Sequence, residues 1–151
     1  MDFVNAALFM TLCINGRRTK GIDSNMVLGM GIDIVKISRV EHLLVKWKDR
    51  FLNRLFTERE IDFCINKRLP SQHFAIRFAA KEAFLKALEL GMRAGIPWKD
   101  IEIINDTMGK PSIELHSKAK EIGLNNNIRN ILLSMSHDGG YGIAQVILVD
   151  S

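Results

Sequence analysis

Apolar residues along this chain change period several times, and each change marks an element. Val27-Leu28-Gly29-Met30-Gly31-Ile32-Asp33-Ile34-Val35 is short, β-branched and punctuated by glycine, which predicts a buried strand over 27–35. Ile37, Val40, Leu44, Trp47 and Phe51 then recur at helical spacing and predict a helix with one buried stripe. Thr57 followed by Glu60 has capping-box spacing and opens a second, short helix through Lys67. Pro70 and Ser71 open a long alanine-rich helix to Leu90, with a loop over 91–97 behind it. Ile101 to Ile104 and Ser112 to Leu115 read as strands around a turn at Met108-Gly109. Ser117 to Gly123 reads as a short helix with Gly123 as its stop. Two apolar runs between Ile131 and Val149 flank His137-Asp138-Gly139-Gly140 and predict a β-hairpin. Strands and helices do not alternate strictly, so the class is α+β.

The chain has 151 residues, 47% of them hydrophobic and 25% charged, which suits one compact domain with its own core. Its two cysteines, Cys13 and Cys64, have no metal-ligand spacing and point to a reducing compartment. No internal repeat is visible, and no run reaches the roughly 18 apolar residues of a membrane span. Residues 1–25 stand apart from a domain over 26–151. Their apolar run, Ala6 to Ile14, precedes the basic residues Arg17, Arg18 and Lys20, the reverse of a secretory signal. They read as an extension: part of a longer leader, an upstream start, or an element docked on the domain. The net charge is +4 and the pI about 9.2, which admits nucleic acid, anionic membrane or an acidic protein as partner. Aromatic content of 7%, without basic-aromatic interleaving, argues against base stacking.

Three stretches carry candidate chemistry. In the alanine-rich helix, Glu82 and Lys86 are four residues apart and leave one face, beside the small residues Ala75, Ala79 and Ala83. That face has room for a large anion and a metal ion, or it is an exposed ion pair worth a few tenths of a kcal/mol. Lys81 projects on the apolar side with Phe74, Phe78, Leu85 and Leu88, where an ammonium needs an anionic partner or must reach out to water. In the first strand, Asp33 stands alone among apolar residues. It is paired or metal-bound, or it accepts backbone N–H bonds at the strand end or caps the helix that follows. In the hairpin, Ser134 and Ser136 share a strand face, and His137 sits at the tip beside two glycines that leave room for a ligand. An exposed turn histidine is the plainer alternative.

Gly31-Ile32-Asp33-Ile34-Val35, Arg77-Phe78-Ala79-Ala80-Lys81-Glu82-Ala83-Phe84-Leu85-Lys86-Ala87 and Ser134-Met135-Ser136-His137 occur in this order, with Asp106-Thr107-Met108-Gly109-Lys110-Pro111 between the last two. Together they resemble holo-acyl-carrier-protein synthase, the small bacterial-type 4′-phosphopantetheinyl transferase, from about Val27 to Val149. The resemblance implies one such domain, an antiparallel sheet with a long central helix, assembling as a homotrimer with sites between subunits. It implies transfer of 4′-phosphopantetheine from coenzyme A to a serine of apo-acyl carrier protein, releasing 3′,5′-ADP, as in fatty acid biosynthesis. Non-catalytic anion binding on the same fold is the alternative. A larger two-half transferase is disfavoured by the length of the chain.

Asp33 and Glu82 match the family's Mg²⁺ ligands, and Mg²⁺ suits carboxylates and phosphate oxygens. Lys86 matches the lysine near the phosphates, and Arg77 and Lys81 are placed to serve them too. Gly109, Lys110 and Pro111 match the turn at the adenine end; Ser136, His137 and Asp138 match the hairpin tip near the nucleotide. The proton acceptor stays open between Glu82, a metal-bound water and His137. Arg39, Lys46 and Arg50 fall along one line of the first helix, with Leu43 close by. They become the docking face for an acidic carrier protein, or are a solvated helix face. Glu89 stands where the family usually has glycine, which puts the local coenzyme A contact in doubt. The expected compartment is the cytoplasm of a bacterium or a plastid-type organelle of a eukaryote.

Overall fold

The computed structural model describes residues 26–89 and 95–150. The extension over residues 1–25, Cys13 included, and the loop as far as residue 94 lie outside the described residues. The elements in chain order are β1 (Val27–Lys36), α1 (Ile37–Leu55), α2 (Glu58–Ile65), α3 (Pro70–Ala87), a 3-10 turn (Trp98–Asp100), β2 (Ile101–Asn105), β3 (Pro111–Leu115), α4 (Ser117–Asn125), β4 (Asn130–Asp138) and β5 (Tyr141–Val149). β5 lies between β1 and β4 in an antiparallel sheet, and β2 and β3 form a second antiparallel ribbon. The class is α+β, as expected.

The long helix α3 is buried on nearly every side from Phe74 to Ala87, so it is a core helix rather than a surface one. Its alanines decide what it packs against. Ala75, Ala79 and Ala83 have no exposed surface, and they do not open a ligand face as the sequence suggested. They seat a strand instead. A Cβ at Gly31 would overlap the carbonyl oxygen of Ala83, and one at Gly29 that of Ala87. Only glycine lets the β1 backbone rest directly on the helix. Gly31, Asp33 and Val35 face inward in alternation, and Ile32 and Ile34 face out. β1 is therefore buried on one face only, where the apolar run had suggested two.

The predicted stripe of α1 holds at Ile37 and Val40 and then shifts. Trp47 has non-helical dihedrals (φ −136°, ψ 30°), so the helix breaks there. Beyond the break Leu52 and Leu55 take the buried positions, while Trp47 is 39% exposed instead of buried. Phe56 then packs on Phe74 with ring centroids 5.0 Å apart, a contact that buries two large aromatic side chains, each worth roughly 1.5–3 kcal/mol.

A polar hub joins these parts. The Thr57–Glu60 capping box forms as predicted. Glu60 is itself buried, and Lys81 Nζ donates to its Oε2 at 2.7 Å, to Leu55 O at 2.7 Å and to Trp98 O at 3.1 Å. Glu60 Oε1 also accepts from Ile103 N. One ion pair thus ties α1, α2, α3, the 3-10 turn and β2. At the other end of the chain, Gly123 lies inside α4 rather than ending it. The left-handed residue behind the helix is Asn127, at φ +57°. Asparagine tolerates that conformation and serves as the stop.

Candidate active site

The β1–α3 contact places Asp33 against the helix face carrying Glu82 and Lys86. Lys86 Nζ donates to Asp33 Oδ1 at 2.8 Å and to Ile32 O at 3.2 Å. The helical neighbours Glu82 and Lys86 are therefore not a mutual surface pair; the lysine's partner comes from the strand. All three side chains are buried. Burial raises the Asp33 carboxyl, and the hydrogen bond and charge of Lys86 pull it back. Glu82 is pushed up to about 7, first by burial and then by the Asp33 carboxylate, with Lys86 opposing. Among the described residues none donates a hydrogen bond to the Glu82 carboxylate. Two buried carboxylates served by one ammonium leave an excess of oxygen charge. That donor set fits a hard divalent cation, which would relieve the repulsion raising Glu82.

A second feature lies along the N-terminal half of α3. An open cavity of about 610 Å³ is walled by Phe63 and Lys67 near the end of α2, by His73, Ile76 and Arg77 of α3, by residues 105–107, Gly109 and Pro111 of the β2–β3 turn, and by Met135, Ser136 and His137 of β4. Arg77 is almost fully buried. Its guanidinium stacks 4.1 Å from the Phe63 ring centroid, and Nη2 donates to Asn105 Oδ1. Among the described residues its Nε is buried without a hydrogen-bond partner. Asn105 Nδ2 donates onward to Gly109 O at 3.0 Å. Asp106 Oδ1 accepts from the backbone N–H groups of Met108 and Lys110, and Gly109 has φ +85°. Glycine at that position lets the turn close under the cavity wall.

Of the residues singled out from sequence, Arg77, Gly109, Pro111, Ser136 and His137 meet at this cavity, while Lys110 is exposed and outside its wall. Ser134 and Ser136 share the outward sheet face as expected; alternation sends His137 to the other face. Lys81 is a correction. The resemblance expects it near the phosphates, but its ammonium has three donors and the core uses all of them. Asp33, Glu82 and Lys86 do not line the cavity. Phe63, Lys67 and His73 also line the cavity and carry no sequence motif. His73 had a usable signal, since it stands four residues before Arg77 and so shares its face of α3.

Two polar clusters lie elsewhere. Glu102, Glu114 and His116 bring ligand-type atoms within 4.8 Å of one another. Arg59 already stands 3.9 Å from Glu102 and 3.7 Å from Glu114, and Thr57 Oγ1 donates to Glu102 at 2.6 Å. On α1, Lys46 Nζ and Arg50 Cζ sit 5.5 and 5.9 Å from the Trp47 ring centroid. Arg39 is exposed and Leu43 half-buried. The break at Trp47 means that Arg39, Lys46 and Arg50 do not lie on one straight helix line. Lys46 and Arg50 converge on the indole instead. No helix among the described residues is long and apolar enough to cross a membrane.

A glycine-seated strand delivers an aspartate to a helical Glu-x-x-x-Lys, and a separate cavity lined by Lys67, His73, Arg77 and His137 collects basic groups suited to an anion, which defines an anion-binding α+β protein. Residues 29–144 match the 4′-phosphopantetheinyl transferase superfamily, to which this chain belongs. It is 48% identical over 123 residues to holo-[acyl-carrier-protein] synthase of Geobacter sulfurreducens, covering 82% of this chain and 98% of that protein. The crystal structure of the Neisseria meningitidis synthase superposes with a TM-score of 0.76 at 32% identity, covering 82% of this chain and 98% of that one. The Helicobacter pylori synthase, solved in complex with coenzyme A, gives a TM-score of 0.70 at 38% identity over 79% of this chain and 98% of that one.

Proposed function

We propose that this protein transfers 4′-phosphopantetheine from coenzyme A to a serine of an apo-acyl carrier protein, releasing 3′,5′-ADP, for fatty acid synthesis in a bacterial cytoplasm or a plastid-type organelle. The catalytic domain is assigned to residues 26–151, with 1–25 as an appended segment. The observation that carries the reading is the buried Asp33–Lys86–Glu82 cluster, in which two carboxylates share one ammonium and none of the described residues donates to Glu82. In the reaction the serine oxygen forms a bond to the pantetheine-side phosphorus of the diphosphate. The phosphorus–oxygen bond to the nucleotide breaks, and that oxygen leaves with 3′,5′-ADP. Lys86 supplies positive charge to the diphosphate as this happens. The serine proton passes to a carboxylate of this cluster, which would be ionised with Mg²⁺ bound. Asp33 and Glu82 would hold Mg²⁺, which when bound supplies charge neutralisation at the phosphate oxygens. Arg77, Gly109, Pro111, Ser136 and His137 would hold the nucleotide in the cavity, with Lys110 at its rim.

The proposed assembly is a homotrimer in which the cavity of one subunit meets the carboxylates of another. Two observations support this. The catalytic carboxylates do not line their own chain's cavity. The outward sheet face also exposes Ile32, Ile34, Leu132 and Ile143, and the register places Ile34 beside Ile143. An apolar patch of this kind on a small chain marks an interface. The carrier protein is proposed to dock on Arg39, Leu43, Lys46 and Arg50. Intact-mass analysis of apo-carrier protein incubated with enzyme, coenzyme A and Mg²⁺ tests the reaction. The carrier should gain one phosphopantetheine, and Asp33→Ala should abolish the gain. An unmodified carrier with the wild type, or transfer that survives EDTA and Asp33→Ala, would refute the assignment.

A further inference from the structure

The cavity holds more positive charge than the chemistry above uses, and Phe63 gathers it. Lys67 Nζ and Arg77 Cζ each lie 4.1 Å from the Phe63 ring centroid. His73 meets the same ring edge-on, with centroids 6.1 Å apart. His137 adds a second imidazole from β4. The carboxylate among the lining residues, Asp106, is already engaged by the N–H groups of its own turn. Three groups able to carry positive charge are thus collected around one aromatic ring, in an open cavity with little to balance them.

We propose that His73 is a specificity-determining contact to a phosphate group of coenzyme A and takes up a proton as that phosphate enters. The inference rests on the coenzyme A reading above. His73 is half-buried and lines the cavity, so its ring is accessible to a bound anion. The groups facing it are Lys67 from the end of α2, Arg77 from its own helix, Asp106 from the β2–β3 turn and His137 from β4. With the cavity free of anions, burial and then the charges of Arg77, Lys67 and His137 hold the imidazole below its ordinary 6.5. A phosphate brought among these cations reverses the balance and favours the imidazolium. His73 therefore holds a proton less readily in the free site than in the filled one. Affinity strengthens as pH falls between the two titration points, by at most about tenfold per pH unit for one proton.

The test is calorimetric titration of the full chain with coenzyme A from pH 5.5 to 8, in two buffers of different ionisation enthalpy, for wild type and His73→Gln. Titration of the ligand's own phosphate is common to both proteins and cancels in the comparison. The wild type should take up part of a proton near pH 6.5 and bind several-fold more tightly there than the variant, with the two converging at pH 8. His73→Lys should keep the affinity and lose its pH dependence, which separates a charge contact from damage to the fold. Dephospho-coenzyme A identifies the phosphate. If it loses the His73 effect, the ring meets the monoester; if it keeps the effect, the ring meets the diphosphate. Equal affinity and equal proton uptake in wild type and His73→Gln, with transfer intact, would overturn the role of His73 alone. Failure of the wild type to bind coenzyme A would overturn both this role and the transferase reading.

Discussion

Glu82→Gln conserves the size and polarity of the side chain and removes only its ionisation. In the native protein, burial and the Asp33 carboxylate raise this carboxyl from 4.5 to about 7. Between those two values the unfolded chain has released the proton and the folded chain still holds it. Stability therefore falls as pH rises through this window and levels off above it. At full ionisation the shift corresponds to roughly 3 kcal/mol. Glutamine carries no such cost. The stability of the variant relative to wild type should therefore grow by about that amount between pH 4.5 and 8. For a chain of this size 1 kcal/mol moves Tm by about 2–4 °C, so the relative Tm should rise by roughly 6–12 °C across the range. Thermal unfolding of both proteins in EDTA, at half-unit pH steps, measures it, because titrating groups remote from Glu82 are shared and cancel. Adding Mg²⁺ at pH 8 should raise the wild-type Tm by linkage and raise that of the variant much less. Transfer by the variant should fall by about 10²-fold or more. A Tm difference that stays flat from pH 4.5 to 8 would refute the raised ionisation and the desolvation argument behind it.

Lys81→Met removes the buried counter-ion of Glu60 and one donor to each of two backbone carbonyls, and should cost about 3–5 kcal/mol in urea unfolding. A loss under about 1 kcal/mol would remove Lys81 from the role of structural hub. Glu89 adopts φ +57°, a conformation that costs a non-glycine residue about 1 kcal/mol, so Glu89→Gly should raise stability by about that amount; a lower Tm would show that the Glu89 side chain holds the end of α3. Reversing Arg39 and Lys46 to Glu should lower kcat/KM for the carrier protein, more at low salt than at high, and leave calorimetric coenzyme A binding nearly unchanged. The opposite result, weakened coenzyme A binding with normal carrier dependence, would assign α1 to the nucleotide.

Several elements could be read from local pattern because the physics that forms them is local. The Thr57–Glu60 capping box needs only four consecutive residues, and it forms as read. The hairpin over β4 and β5 needs two apolar runs and a Gly-Gly turn, and its register follows. The order Asp33, Glu82, Lys86 was legible as chemistry, since carboxylates and a lysine in such apolar settings call for partners. The partners themselves were not. Lys81 and Lys86 are the same residue type on the same helix, five positions apart. One ends on Glu60 in the core and the other on Asp33; their spacing puts them on different faces of α3, but nothing within the helix names the partner of either. The difference comes from which surface meets each face: α1, α2 and the 3-10 turn on one side, the glycine-flattened β1 on the other. The same holds for Trp47. A helical stripe marks it as core, but the break in α1 turns it outward to Lys46 and Arg50. Phe63, Lys67 and His73 carry no shared motif, and only the meeting of α2, α3 and the β2–β3 turn makes them one wall. Sequence by itself therefore determined the periods, the caps and the turns, and the inventory of reactive groups, all of which depend on neighbours within a few residues. Which charge meets which, and where the cavity opens, depends on contacts between segments tens of residues apart, and those exist only once the strand, the ribbon and the helices have packed.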